Sequence, residues 1–138
     1  MKRLLVIVLV VALAGCGSSK SSSGTADVKV ASSKLGKIVV DRSGRTLYLF
    51  TADKGAKSTC SGACAATWPP YKVGAKQVTY HGHPLYHYAG DGHTPGSTKG
   101  EGLDTFGGSW YVVDSSGKAV EPASHGAMGG GGNTGYGY

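Results

Sequence analysis

A ten-residue frame occurs twice in this chain: GRTLYLFTAD at Gly44–Asp53 returns as GHPLYHYAGD at Gly82–Asp91. The two align without a gap through Gly44/Gly82, Leu47/Leu85, Tyr48/Tyr86 and Asp53/Asp91, with an aromatic at Phe50/Tyr88. On a strand, Tyr48 and Phe50 point to one face and Leu47 and Leu49 to the other. Tyr86 and Tyr88 stand in the same relation to Leu85 and His87. The aspartate three residues past the second aromatic falls in the turn beyond the strand. There its carboxylate can accept hydrogen bonds from the backbone of its own loop.

The copies extend upstream of the frame. VVDRSGRTLY (Val39–Tyr48) and VTYHGHPLY (Val78–Tyr86) both read as hairpins leading into a Tyr-x-aromatic strand, and VVDSSGKAV (Val112–Val120) is a third, truncated copy. Their turns carry the right chemistry. Asp41–Gly44 and Asp114–Gly117 open with Asp and close with Gly, and His81-Gly82 suits a two-residue hairpin turn. The apolar runs KIVVD, RTLYLF, KQVTY, PLYHY and SWYVVD are short, rich in β-branched and aromatic residues, and bounded by Gly, Pro or Asp. A tryptophan follows each frame, Trp68 and Trp110. Two hairpin units can bury against each other what neither buries alone. The predicted fold is therefore all-β and mainly antiparallel, a small domain of two hairpin-based repeats. At most one helical turn is expected, near Ala63–Thr67 and ended by Pro69-Pro70.

The ends of the chain have a different composition. Met1-Lys2-Arg3 is a basic start, and Leu4–Ala14 is an apolar run too short to cross a bilayer, for which about 20 residues are needed. Leu13-Ala14-Gly15-Cys16 looks like a bacterial lipobox. Residues 1–15 thus read as a lipoprotein signal peptide, Cys16 as the lipid attachment, and 16–26 as a lipidated Ser-rich tether. The β domain is expected over 27–122 and a disordered Gly-rich tail over 123–138. Loss of Lys2 and Arg3 lowers the formal net charge from +6 to +4, with no basic run in what remains. That balance suits a surface near anionic lipid or wall polymer. It gives no support to nucleic-acid binding, which needs a clustered basic face.

With Cys16 acylated, Cys60 and Cys64 remain as a pair in an oxidising compartment, and they read as a local disulfide fixing the loop before Trp68. The sharper alternative is a redox pair or soft-metal site, but three residues separate the cysteines where thioredoxin-like motifs have two. His81, His83, His87 and His93 crowd into HGHPLYHYAGDGH. Of these, His81, His83 and His87 can converge on copper or zinc; the plainer reading is surface histidine in a polar hairpin. His125 and Met128 are a further copper pair in the tail. No Gly-x-Ser-x-Gly nucleophile elbow is present, and Asp53, Asp91 and Asp104 are the carboxylates on offer for hydrolysis. Twelve aromatics have to fill a small core. Tyr48, Phe50, Trp68 and Trp110 are assigned to it, leaving Tyr86, Tyr88 and Tyr111 as surface candidates for a sugar ring or wall polymer.

YLFTAD and YHYAGD, with SGRTLYLF, CSGACAATWPP, QVTYHGHPLYHYAGD and FGGSWYVVDSSGKAV, resemble a family of predicted bacterial lipoproteins. That family carries a Tyr-x-(Phe/Trp/Tyr)-x-x-Asp motif and is also described as a secreted repeat of unknown function. The resemblance runs over most of Val39–Val120 and implies an envelope location and a repeat architecture, with no activity attached to any residue. YKVGAK (Tyr71–Lys76) is shorter than the corresponding stretch of the family, which predicts a missing strand or loop. The combined expectation is a membrane-anchored, non-enzymatic envelope lipoprotein that binds or scaffolds a wall polymer or an envelope protein. The alternative is a metal- or redox-handling protein using the His81–His93 hairpin and Cys60/Cys64.

Overall fold

The computed structural model describes residues 28–121. The expected signal peptide (1–15), Cys16, the expected tether (16–26) and the Gly-rich tail (123–138) lie outside the described residues. Inside them the short apolar runs become short strands. β1 (Lys29–Ser33) pairs antiparallel with β2 (Gly36–Val40). β3 (Tyr48–Phe50) is followed by α1 (Ala63–Thr67), the helical turn expected before Pro69-Pro70. Two minimal hairpins come next, β4 (Lys72–Val73) with β5 (Lys76–Gln77) and β6 (Thr79–Tyr80) with β7 (His83–Pro84). A 3-10 turn at Ala89–Asp91 leads towards β8 (Leu103–Thr105) and β9 (Gly108–Val112), and β9 lies between β3 and β8 in a three-stranded sheet.

The short segment after Trp68-Pro69-Pro70 forms a hairpin of its own: Lys72↔Gln77 and Val73↔Lys76 pair around Gly74, whose φ of 61° a tight turn needs. The predicted turns also close. Asp41 N–H donates to Arg45 O (2.9 Å) and Gly44 N–H to Asp41 O (3.0 Å); Asp114 and Gly117 repeat this with Lys118. The Asp41 and Asp114 carboxylates each cap the N–H groups two and four residues on.

The duplication is visible in the backbone. Val39 N–H donates to Val113 O, Val113 N–H to Leu47 O, and Leu47 N–H to Val39 O, a closed cycle of 2.8 to 3.2 Å. The second repeat builds the same cycle from Val78 to Tyr71, Tyr71 to Leu85 and Leu85 to Val78, at 2.8 to 2.9 Å. Each cycle satisfies six buried backbone groups where three segments meet. Val113, which closes the first cycle, comes from the far end of the chain.

Strand alternation sorts the side chains as expected. Tyr48, Phe50 and Tyr86 enter one core with Ile38, Val40, Cys60, Cys64, Trp68, Trp110 and Val112. Leu47, Leu49 and Leu85 enter a second with Val39, Val78 and Val113. Full burial of a residue such as Leu47 contributes roughly 1.5–3 kcal/mol. No helix among the described residues is long and apolar enough to cross a membrane.

Candidate functional site

The centre of the domain is built from the repeated frame. Tyr48 and Tyr86 exchange both backbone bonds, Tyr48 N–H to Tyr86 O at 2.9 Å and Tyr86 N–H to Tyr48 O at 3.0 Å. The two strands therefore cross at their tyrosines, and each tyrosine reaches into the other repeat. Tyr48 Oη–H donates to Asp91 Oδ2 (2.5 Å), while Tyr86 Oη–H donates to Asp53 Oδ2 (2.7 Å) and sits 2.6 Å from Ser58 Oγ. The remaining oxygen of each aspartate holds its own loop. Asp53 Oδ1 accepts from Thr59 N (2.7 Å) and Oγ1, and Asp91 Oδ1 from Ser97 Oγ (2.7 Å) and Lys99 N (2.9 Å). The sequence reading anticipated the loop contacts; the exchange between repeats it missed, because one copy of the frame carries no sign of its partner.

Aromatic packing follows the same two-fold logic. Trp68 and Trp110 stack at 4.0 Å with an interplanar angle of 2°. Tyr48 meets Trp68 edge-on at 5.4 Å, and Tyr86 meets Trp110 edge-on at 5.1 Å. Phe50 stacks on Trp110 at 4.0 Å, and Tyr88 occupies the corresponding place on Trp68 at 4.5 Å, tilted by 32°. Tyr86 is thus fully buried, which overturns its assignment to the surface; Tyr88 and Tyr111 are half-buried. Burial, with the Asp91 hydrogen bond, holds the Tyr48 phenol far above its ordinary range. The Tyr86 phenol is pushed up to about 12 by burial, with Asp53 adding to the effect and Ser58 opposing it. Both phenols stay protonated and donating at any physiological pH.

Three smaller features complete the clasp. Cys60 and Cys64 form a disulfide that ties the loop to α1, and Trp68 N–H caps that turn on Cys64 O at 2.7 Å. Closing so short a loop contributes about 2 kcal/mol on the chain-entropy account. Gly100 N–H reaches Tyr48 Oη at 3.3 Å, and a Cβ on Gly100 would lie 2.8 Å from Trp68 and 2.9 Å from Tyr48. Nothing in its local sequence marks that glycine. Asp104 bonds Ser109 Oγ across the β8–β9 hairpin, so Asp53, Asp91 and Asp104 all have structural partners.

The histidines go separate ways. His81 is exposed in the β6–β7 turn, and His83 is half-buried in β7. His87 is only 11 % exposed, with Nε2 2.9 Å from Asp41 Oδ2 and its ring edge-on to Tyr71, so it is a packed residue and not a surface one. Burial holds its pKa below the ordinary value despite the Asp41 bond, so neutral imidazole donates through Nε2–H. Asp41, its partner, was legible only as a turn residue. Among the described residues, no group of three or more His, Cys, Asp or Glu side chains gathers in a metal-holding arrangement. Beside the Asp53 loop, Thr51, His83 and Lys118 edge a surface hollow of about 370 Å3.

The fold and its clasp define a class: a duplicated β domain in which each repeat supplies the acceptor for the other's tyrosine. The chain belongs to the family described as a secreted repeat of unknown function, whose sequence model matches it twice, over residues 29–72 and 71–114. It is accordingly an exported protein. No curated protein and no solved structure matches it.

Proposed function

We propose that the protein is a membrane-anchored envelope lipoprotein, acylated on Cys16, whose β domain is a non-enzymatic module that binds an anionic wall polymer. One observation carries this reading: acidic residues are mostly withdrawn from the surface, Asp104 and Glu121 being the exposed exceptions among those described, and the lysines are not. Asp41, Asp53, Asp91, Glu101 and Asp114 are buried or half-buried and accept internal hydrogen bonds. Every described lysine, by contrast, is exposed. The surface met by a partner is therefore more cationic than the formal balance, which favours polyanions and accelerates their capture. The motif residues are spent on the clasp, which supports scaffold over catalyst.

The test is co-sedimentation of the full chain with purified wall polymer rich in phosphate or carboxylate. Binding should weaken at least tenfold between low salt and about 0.5 M salt, where screening is nearly complete over a few ångströms. Lys72→Glu with Lys76→Glu should weaken it further without changing the melting temperature. Salt-independent binding, or none, sinks the polymer reading. Fatty-acid labelling lost in Cys16→Ser is the check on the anchor.

A further inference from the structure

Two hairpin turns hold a bulky residue in the left-handed region, His81 at φ 48° and Phe106 at φ 57°, each followed by a glycine with positive φ. Turns of this kind favour Asn-Gly or Asp-Gly, and a ring-bearing side chain there is strained. For His81 the strain has an internal offset. Its ring packs edge-on to Tyr80 at 4.6 Å, and the residue lies against Gly117, where a Cβ would come within 2.3 Å of His81 Cβ. Phe106 has no ring partner among the described residues and is 46 % exposed, the one exposed aromatic there. The strained turn works against stability, and a ring left 46 % exposed returns little of it, so packing alone does not explain this residue.

The tip is also held firmly. Trp110 Nε1–H donates to Thr105 O (3.2 Å) and Trp68 Nε1–H to Thr105 Oγ1 (3.3 Å), which ties the hairpin to the stacked indoles. Thr51 and Ser109 bond each other twice, at 2.8 and 3.0 Å. The turn formed by Lys54 and Lys57 therefore leaves the same end of the sheet, with both ammonium groups exposed.

We propose that the Phe106 tip is a membrane-contact point. Its ring enters the interface of an anionic bilayer while Lys54 and Lys57 lie over lipid phosphates, which fixes the end of the domain that faces the membrane. This rests on the lipid-anchor reading above. Phe106 edges only an open hollow formed by Asp104–Ser109 of its own hairpin, which does not enclose a soluble ligand, whereas aromatic rings with basic neighbours suit the headgroup boundary. Only residues 17–27 separate Cys16 from the first described residue, and eleven residues reach at most about 40 Å however they are arranged. The tip then sets orientation, while the acyl chains set retention.

The experiment uses the full, lipid-modified chain carrying Phe106→Trp in phosphatidylglycerol vesicles with or without brominated acyl chains. Trp68 and Trp110 are fully buried, so the added indole dominates any change. Emission should shift to the blue and fall at least twofold with brominated lipid. A protein that co-floats with the vesicles but shows no quenching overturns the tip contact and leaves the anchor standing. A protein that does not float sinks the anchor reading and this proposal with it. Phe106→Asn gives the second arm. Relief of the turn strain should raise the melting temperature by several degrees, while vesicles should no longer protect Lys54 and Lys57 from acylating reagents. A lowered melting temperature would mean that Phe106 serves the fold, and overturns the proposal.

Discussion

In the first repeat, the strand bearing Tyr48 and Phe50 pairs with β9 over three residues, Tyr48↔Val112, Leu49↔Tyr111 and Phe50↔Trp110. In the second, the matching strand faces Pro69 and Pro70, and the pairing shrinks to a Pro70↔Tyr86 bridge with its two flanking bonds, His87 N–H to Pro69 O (2.8 Å) and Tyr71 N–H to Leu85 O (2.9 Å). Proline has no N–H to give, so the ladder cannot run through it. The ring contacts nevertheless survive: edge-on pairs at 5.4 and 5.1 Å, and face contacts at 4.0 and 4.5 Å, the first stacked at 8° and the second tilted by 32°. What the two halves share is the exchanged side chains, and the backbone pairing around them is free to vary.

The sharpest way to break that likeness is at the indoles. Trp68→Ala should cost about 3–5 kcal/mol in urea unfolding, because it empties a site between two aromatic layers. Trp110→Ala should match it within about 1 kcal/mol if the repeats are equivalent; a difference much larger than that would locate the core in one half. The tyrosine hydroxyls come next. Tyr48→Phe removes the donor from a carboxylate that is 7 % exposed and should cost about 2–3 kcal/mol. Tyr86→Phe should cost about 1 kcal/mol, since half-buried Asp53 keeps its Thr59 bonds and is nearer to water. Equal costs would mean that burial does not distinguish the two clasps. Reduction of Cys60–Cys64 should lower stability by about 2 kcal/mol, in the first repeat only, since the second has no counterpart.

The smallest effect concerns His87, which stands where the first repeat has Leu49. Its folded pKa is depressed by burial, so the unfolded chain binds the extra proton. Its contribution is complete above the ordinary histidine value of about 6.5 and is lost as pH falls through the folded value. Half-buried Glu101 acts in the opposite sense, because burial raises its pKa. Unfolding free energy measured from pH 7.5 down to 5 should therefore fall, and His87→Leu should flatten that slope. An unchanged slope in the variant would put the titration elsewhere.

Much of the fold could be read from residue order. Alternation separated Tyr48 and Phe50 from Leu47 and Leu49, and those faces became the two cores; Asp41–Gly44, His81-Gly82 and Asp114–Gly117 formed their turns; the helical turn lay before Pro69. Three of the described strands have no counterpart among the apolar runs, one of them the two-residue β4 in the stretch expected to lack a strand or loop. β1 is Lys-Val-Ala-Ser-Ser with Val30 exposed, and β8 is a three-residue edge bounded by Gly102 and Phe106, so neither has an apolar pattern to detect. The clasp was half legible. Spacing located Asp53 and Asp91 in their loops, but the choice of tyrosine depends on a crossing of strands far apart in the chain. Tyr86 reads as a surface residue in the sequence on the same ground: one repeat does not show what the other will cover.

The closed backbone cycles bear on how the protein reaches its compartment. Val39 and Leu47 wait for Val113, and Tyr48 waits for Asp91. A chain threaded through a pore N-terminus first therefore delivers its opening half without the means to lock. The first cycle closes only once Val113 is present, whereas the second, built from Tyr71, Val78 and Leu85, can close before it.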